Sequence, residues 1–143
     1  MIYTEMTGKA MRLAYRAHHG QVDKAGIPYI FHPIHVAEQM TDEFSTAAAL
    51  LHDVVEDTFV TLEDLEKEGF PPEVTEAVAV MTRDETIPYM DYIAQVKKND
   101  LARRVKLEDL RHNMDYTRLP VVDEEAKRHL ERYARAMEVL TEV

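Results

Sequence analysis

The stretch Leu50-Leu51-His52-Asp53-Val54-Val55-Glu56-Asp57-Thr58 decides how the rest of this chain is read. An adjacent His-Asp pair is followed four positions later by an adjacent Glu-Asp pair, and leucines and valines surround both. On a helix, residues four apart stack one turn above the other, so His52 shares a face with Glu56 and Asp53 shares one with Asp57. Leu50, Leu51, Val54 and Val55 leave little of such a helix for solvent. Carboxylates in that setting are costly unless compensated, and a bound cation is one compensation.

The surrounding chain narrows the chemistry. Its 143 residues suit one domain, residues 1–143, with one core. The composition, 45% hydrophobic and 31% charged, is that of a soluble globular protein. No apolar run approaches the roughly eighteen residues of a membrane span, and the start Met1-Ile2-Tyr3-Thr4-Glu5-Met6 lacks the basic segment and apolar core of a signal peptide. The expectation is a cytoplasmic chain with no membrane partner. With no cysteine, thiolate chemistry and cysteine metal sites are excluded, so any metal site uses His, Asp or Glu. A formal net charge of -10 argues against a nucleic-acid partner, which needs a basic patch. A small anionic substrate stays compatible if a metal or local cations receive it.

Periodicity predicts an all-α fold of about seven to eight helices. The first runs from about Thr4 to His18. After a loop rich in turn residues from Gly20 to Tyr29, His32-Pro33 opens the second, with His32 at the cap. The third spans roughly Thr46 to Asp57. Thr61 and Asp64 give a capping box to a short helix that Gly69 ends, Pro71-Pro72 and Pro88 precede the next two, and Asp100 caps a seventh. On that seventh helix Lys106, Asp109 and Asn113 fall on one face. A last helix of about eighteen residues follows Asp123. His32, His52, Asp53 and Asp109 are the candidate ligands, and two imidazoles with two carboxylates suit manganese, iron or zinc.

Three motifs in order carry a resemblance: Gly20-Gln21 with Gly26-Ile27-Pro28-Tyr29 and His32-Pro33, then Leu51-His52-Asp53-Val54-Val55-Glu56-Asp57-Thr58, then Val105-Lys106-Leu107 with Asp109 and His112-Asn113-Met114. Together they resemble the HD-domain hydrolases of the RelA/SpoT type, which remove the 3′-pyrophosphate of (p)ppGpp and include small stand-alone members. The resemblance implies an HD-type helical bundle and a nucleotide (pyro)phosphohydrolase. It makes His32, His52, Asp53 and Asp109 ligands of one divalent ion, Mn²⁺ in the usual form, with Fe²⁺ or Zn²⁺ as alternatives. Glu56 and Asp57 become the catalytic acidic pair, Lys24, Tyr29 and Asn113 become substrate-binding residues, and a homo-oligomer is allowed.

The chain departs from the family pattern at two places. Asp23-Lys24-Ala25 stands where longer members read Arg-Lys-Ser, and Asp115 replaces a second arginine. Acids beside a nucleotide site oppose a polyanion. Another nucleotide or cofactor phosphate, such as the 2′-phosphate of NADPH, is therefore the alternative substrate, and a non-catalytic sensor is the alternative role. Arg111 and Arg118 are the candidates for replacement charge. His18, His19, His35 and His129 read as structural or surface residues, and His112 as a neighbour of the site, not a ligand.

Overall fold

The structure, a computed structural model, describes residues 1–142. Among these the helices are α1 (Glu5–Ala17), α2 (Phe31–Glu38), α3 (Glu43–Leu51), α4 (Val54–Asp57), α5 (Leu62–Lys67), α6 (Pro72–Met81), α7 (Tyr89–Lys97), α8 (Asp100–Asn113) and α9 (Glu124–Thr141). Since α4 is a single turn, eight helices are longer than one turn. A 3-10 turn covers Tyr116–Arg118, and β pairing is limited to one isolated bridge between Val22 and Pro28. Among the described residues no helix is long and apolar enough to cross a membrane.

Four of the helices pack around α3. Its residues from Ser45 to Leu51 are all buried, and α1, α2, α6 and α8 lie against it. A helix buried all round needs small side chains where neighbours approach closely, and Ala47, Ala48 and Ala49 supply them with no exposed surface. Helices α7 and α9 pack against α8 and each other, and α5 against α6.

The start of α3 lies upstream of the expected Thr46. The Asp42 carboxylate accepts from the Ser45 amide at 2.8 Å and thereby caps the helix. Its other oxygen meets Arg104 of α8 at 2.8 Å. Partial burial pushes this carboxyl up, and the hydrogen bonds from Ser45 and Arg104 outweigh it, holding the group below its usual range. Other signals fall as expected. Thr61 forms a capping box, Pro72 is the first residue of α6, and Asp123 precedes the eighteen-residue α9 as its cap; the capping box that Thr4 also forms had no counterpart in the expectation.

Three expectations are corrected. The cap of α8 is Asn99, whose side chain accepts from the Ala102 amide, and not Asp100. Ile30 stands at the cap of α2 with no side-chain bond, which puts His32 one residue inside the first turn. The helix expected through Asp57 stops at Leu51, and the chain turns through His52 and Asp53 before α4.

These contacts predict distinct penalties. Asp42→Ala loses the cap and costs about 1 kcal/mol, whereas Ala48→Leu overpacks the central helix and costs about 1–3 kcal/mol. Urea unfolding with an unchanged m-value checks both, and a neutral Ala48→Leu contradicts close packing around α3.

Candidate metal centre

The turn at His52 is local hydrogen-bond chemistry. The His52 ring nitrogen Nδ1 donates to the Ala49 carbonyl at 2.5 Å, and the His52 amide reaches the same oxygen at 3.4 Å. A side chain that takes a helical carbonyl competes with the helix, and Asp53 lies at φ -107°, ψ -3° instead of in a regular turn. His52 and Glu56 are therefore not one turn apart on a continuous helix. The kink instead groups carboxylate oxygens of Asp53, Glu56 and Asp57 within 4.8 Å of one another.

The Ala49 bond also fixes the His52 tautomer, leaving Nε2 facing the site. That nitrogen lies 3.1 Å from Asp53 Oδ2 and 3.5 Å from Asp109 Oδ1, yet is buried without an aligned hydrogen-bond partner. His32 Nε2 is 2.8 Å from Asp109 Oδ1 and 3.8 Å from Asp53 Oδ2. One donor atom from each of His32, His52, Asp53 and Asp109 thus falls within 4.8 Å of the others. An orphaned buried nitrogen, two imidazoles and two carboxylates at that spacing fit a divalent cation.

The acids and imidazoles of this cluster shift one another's protonation. Burial pushes Asp109 up, but Lys106 at 2.9 Å and the two histidines hold it well below the usual carboxylate range. Asp53 is likewise lowered, with burial outweighed by His52. For His52, burial works against the charged ring, and Asp53 and Asp109 raise it well above its ordinary value. Glu56 and Asp57 sit at the exposed edge, both raised by partial burial and then by the charge of Asp53. The Arg83 amide donates to Glu56 at 2.8 Å.

Two expected substrate residues are also tied to the ligands. The Tyr29 hydroxyl donates to Asp53 Oδ2 at 2.5 Å, and Asn113 Nδ2 donates to Asp109 Oδ1 at 3.1 Å. Both line a cleft of about 300 Å³ that opens beside His32 and includes the exposed Lys24. Arg118 lines this cleft and pairs with Asp23 at 3.6 Å, while Arg111 pairs with Glu108 away from it. The two acids expected to repel a polyanion have structural duties. Asp23 Oδ1 accepts from the amides of Ala25 and Ile27, and Asp115 accepts from Thr117.

His112 is the neighbour of the site that its position suggested, whereas the contacts of Gln21 had no sequence expectation. His112 is 2.7 Å from His32 Nδ1 and stacks on both His32 and His35. Burial, then the charge of Arg118, pushes it down to about 4, so the neutral ring accepts from His32 and leaves His32 Nε2 facing the carboxylates. The three-residue spacings His32 to His35 and Asp109 to His112 were the readable signal. Gln21 bridges His18 Nδ1 and the Asp57 carbonyl, each at 2.9 Å, and so ties α4 to the loop after α1.

Comparison with known proteins agrees with this geometry. Residues 10–118 match the family model described as an HD domain. The chain is 34% identical over 142 residues to a GTP pyrophosphokinase of Streptomyces coelicolor, covering 88% of this chain and 17% of that protein. It is 34% identical over 125 residues to the bifunctional (p)ppGpp synthase/hydrolase SpoT of Escherichia coli, covering 74% and 18%. The chain thus spans less than a fifth of the length of these curated relatives. A solved structure described as a metazoan ortholog of SpoT that hydrolyzes ppGpp superposes with a TM-score of 0.82 at 28% identity, covering 99% of this chain and 88% of the other. An HD-domain match over three quarters of its length, on a helical frame that gathers two histidines and two aspartates, makes this chain a member of the HD-domain family.

Proposed function

We propose that this chain is a divalent-metal-dependent phosphohydrolase that removes the 3′-pyrophosphate of (p)ppGpp. The observation that carries the reading is the meeting of His32, His52, Asp53 and Asp109 around one point, with Glu56 and Asp57 beside Asp53. The relatives named for (p)ppGpp chemistry support the substrate. Mn²⁺ is the proposed ion, held by those four side chains. When bound, the ion supplies Lewis acidity toward a phosphoryl oxygen and toward water.

The remaining work belongs to the chain. Glu56, oriented by the Arg83 amide, takes the proton of the attacking water. Asp57, anchored through its carbonyl by Gln21, holds that water against Glu56. Tyr29 and Asn113 keep Asp53 and Asp109 oriented and form the wall of the cleft that receives the nucleoside, with Lys24 at its mouth. This reading carries with it a cytoplasmic enzyme with a small nucleotide partner, no nucleic acid and no membrane, able to form a homo-oligomer.

The alternative, a cofactor 2′-phosphate, rested on Asp23 and Asp115 repelling a polyanion. Asp23 is paired with Arg118, which removes half of that argument, and Asp115 keeps its charge at the surface as the cap of the 3-10 turn.

A turnover screen of Mn²⁺-loaded protein over alarmones, nucleoside polyphosphates and NADPH tests the proposal. Asp53→Ala abolishes turnover and Mn²⁺ binding, while Glu56→Gln retains Mn²⁺ and lowers kcat about 10²-fold or more. Turnover of none of these substrates by loaded wild type refutes the enzyme. A finer expectation concerns the loop. Asp23→Asn keeps an oxygen for the Ala25 and Ile27 amides and frees Arg118, so KM for ppGpp falls about two- to fivefold. An unchanged or higher KM means that Asp23 does not hold Arg118 back from the substrate.

A further inference from the structure

Beside Glu56 three elements bring donors together: the segment between α6 and α7 carries Arg83, the first residue of α7 is Tyr89, and α9 carries Arg132. Both guanidinium groups lie over the Tyr89 ring, at 5.2 Å for Arg83 and 4.3 Å for Arg132. Cation–π contact holds a guanidinium plane in place without using its hydrogen-bonding edge.

That edge is unmet here. Arg83 Nε, Arg132 Nε and the Tyr89 hydroxyl are each buried with no hydrogen-bond partner among the described residues. Neither arginine belongs to an ion pair among those residues. The one side-chain hydrogen bond of Arg83 is a long one, 3.5 Å to the Ile87 carbonyl. Buried unpaired donors are costly, and buried unpaired charge more so. In a chain of net charge -10, carboxylates are plentiful, yet none pairs with these two cations. Burial holds the Tyr89 hydroxyl above its ordinary pKa, so it stays a donor. The cluster touches the centre through the Arg83 amide on Glu56, and Arg132 also lies 6.0 Å from the ring of Tyr133, which lines the nucleoside cleft.

We propose that Arg83 and Arg132, with the Tyr89 hydroxyl, form a subsite for a pyrophosphate group beside Glu56. Two guanidinium forks each match one phosphate, and a diphosphate satisfies both at once where a monophosphate satisfies one. The link to the substrate rests on the phosphohydrolase reading: the nucleoside lies in the Lys24 and Asn113 cleft and the terminal phosphates lie over Tyr89. This arrangement selects pyrophosphate esters over single phosphate esters.

Calorimetric titration of the Mn²⁺-loaded full chain with inorganic pyrophosphate and with orthophosphate tests the subsite without turnover. Arg83→Gln and Arg132→Gln each weaken pyrophosphate binding about tenfold or more, with Mn²⁺ affinity and the thermal midpoint unchanged. Tyr89→Phe, which keeps the ring, causes a smaller loss, and Arg104→Gln, on the Asp42 side of the fold, causes none. Pyrophosphate affinity within about twofold of wild type in both arginine variants overturns the subsite. So does a loss that follows a fall in Mn²⁺ affinity or melting temperature. Equal losses for orthophosphate overturn the choice of a diphosphate. If the arginine variants behave as stated but loaded wild type hydrolyses no nucleotide, the enzyme reading fails and the subsite stands. If nucleotides are hydrolysed while pyrophosphate binding ignores both arginines, the subsite alone fails.

Discussion

The carbonyl oxygen of Ala49 is the point on which the centre depends. By accepting from His52 Nδ1 it ends α3, fixes the imidazole tautomer and turns Asp53 out of helical register in one step. Each consequence needs the others. On a continuous helix, at about 100° per residue, His52, Asp53, Glu56 and Asp57 would share a single rim about 140° wide. The kink lets His52 and Asp53 meet His32 from α2 and Asp109 from α8 while Glu56 and Asp57 stay at the solvent edge.

Element types were legible because their signals are local. The capping box at Thr61, Pro72 and Asp123 act within a few residues of themselves, and each stands where the pattern put it. The break after Leu51 was not legible, since Leu50 to Val55 is an uninterrupted helical pattern except for the His-Asp pair itself. Only the direction in which the His52 ring points decides whether the helix continues. The expected ligands could be named from motif order, but that α2, α3 and α8 pack mutually is a tertiary fact no spacing contains. The same limit left His112 a neighbour of the site without a partner, and the structure supplies that partner as His32.

Charge shows most sharply how composition misleads. Asp23 and Asp115 look like anions facing a nucleotide, yet both serve as turn caps and Asp23 is also paired with Arg118. Conversely, a chain of net charge -10 keeps Arg83 and Arg132 free of carboxylates beside its acidic centre. What an anion meets is set by which charges are already occupied, and the net total is silent on that.

The packing of α3 explains why such a costly cluster can persist. His32, His52 and Asp109 are all at most 4% exposed, and burying them without compensation would cost several kcal/mol per charged group. Each is instead tied by an outer partner: His32 by His112, His52 by the Ala49 carbonyl, Asp109 by Lys106 and Asn113. Those partners sit on helices that touch α3 or on α3 itself, where alanines leave no room for rearrangement. The ligands therefore stay in place because the core cannot relax around them, so the rigidity of an apolar helix sets the geometry of a polar site.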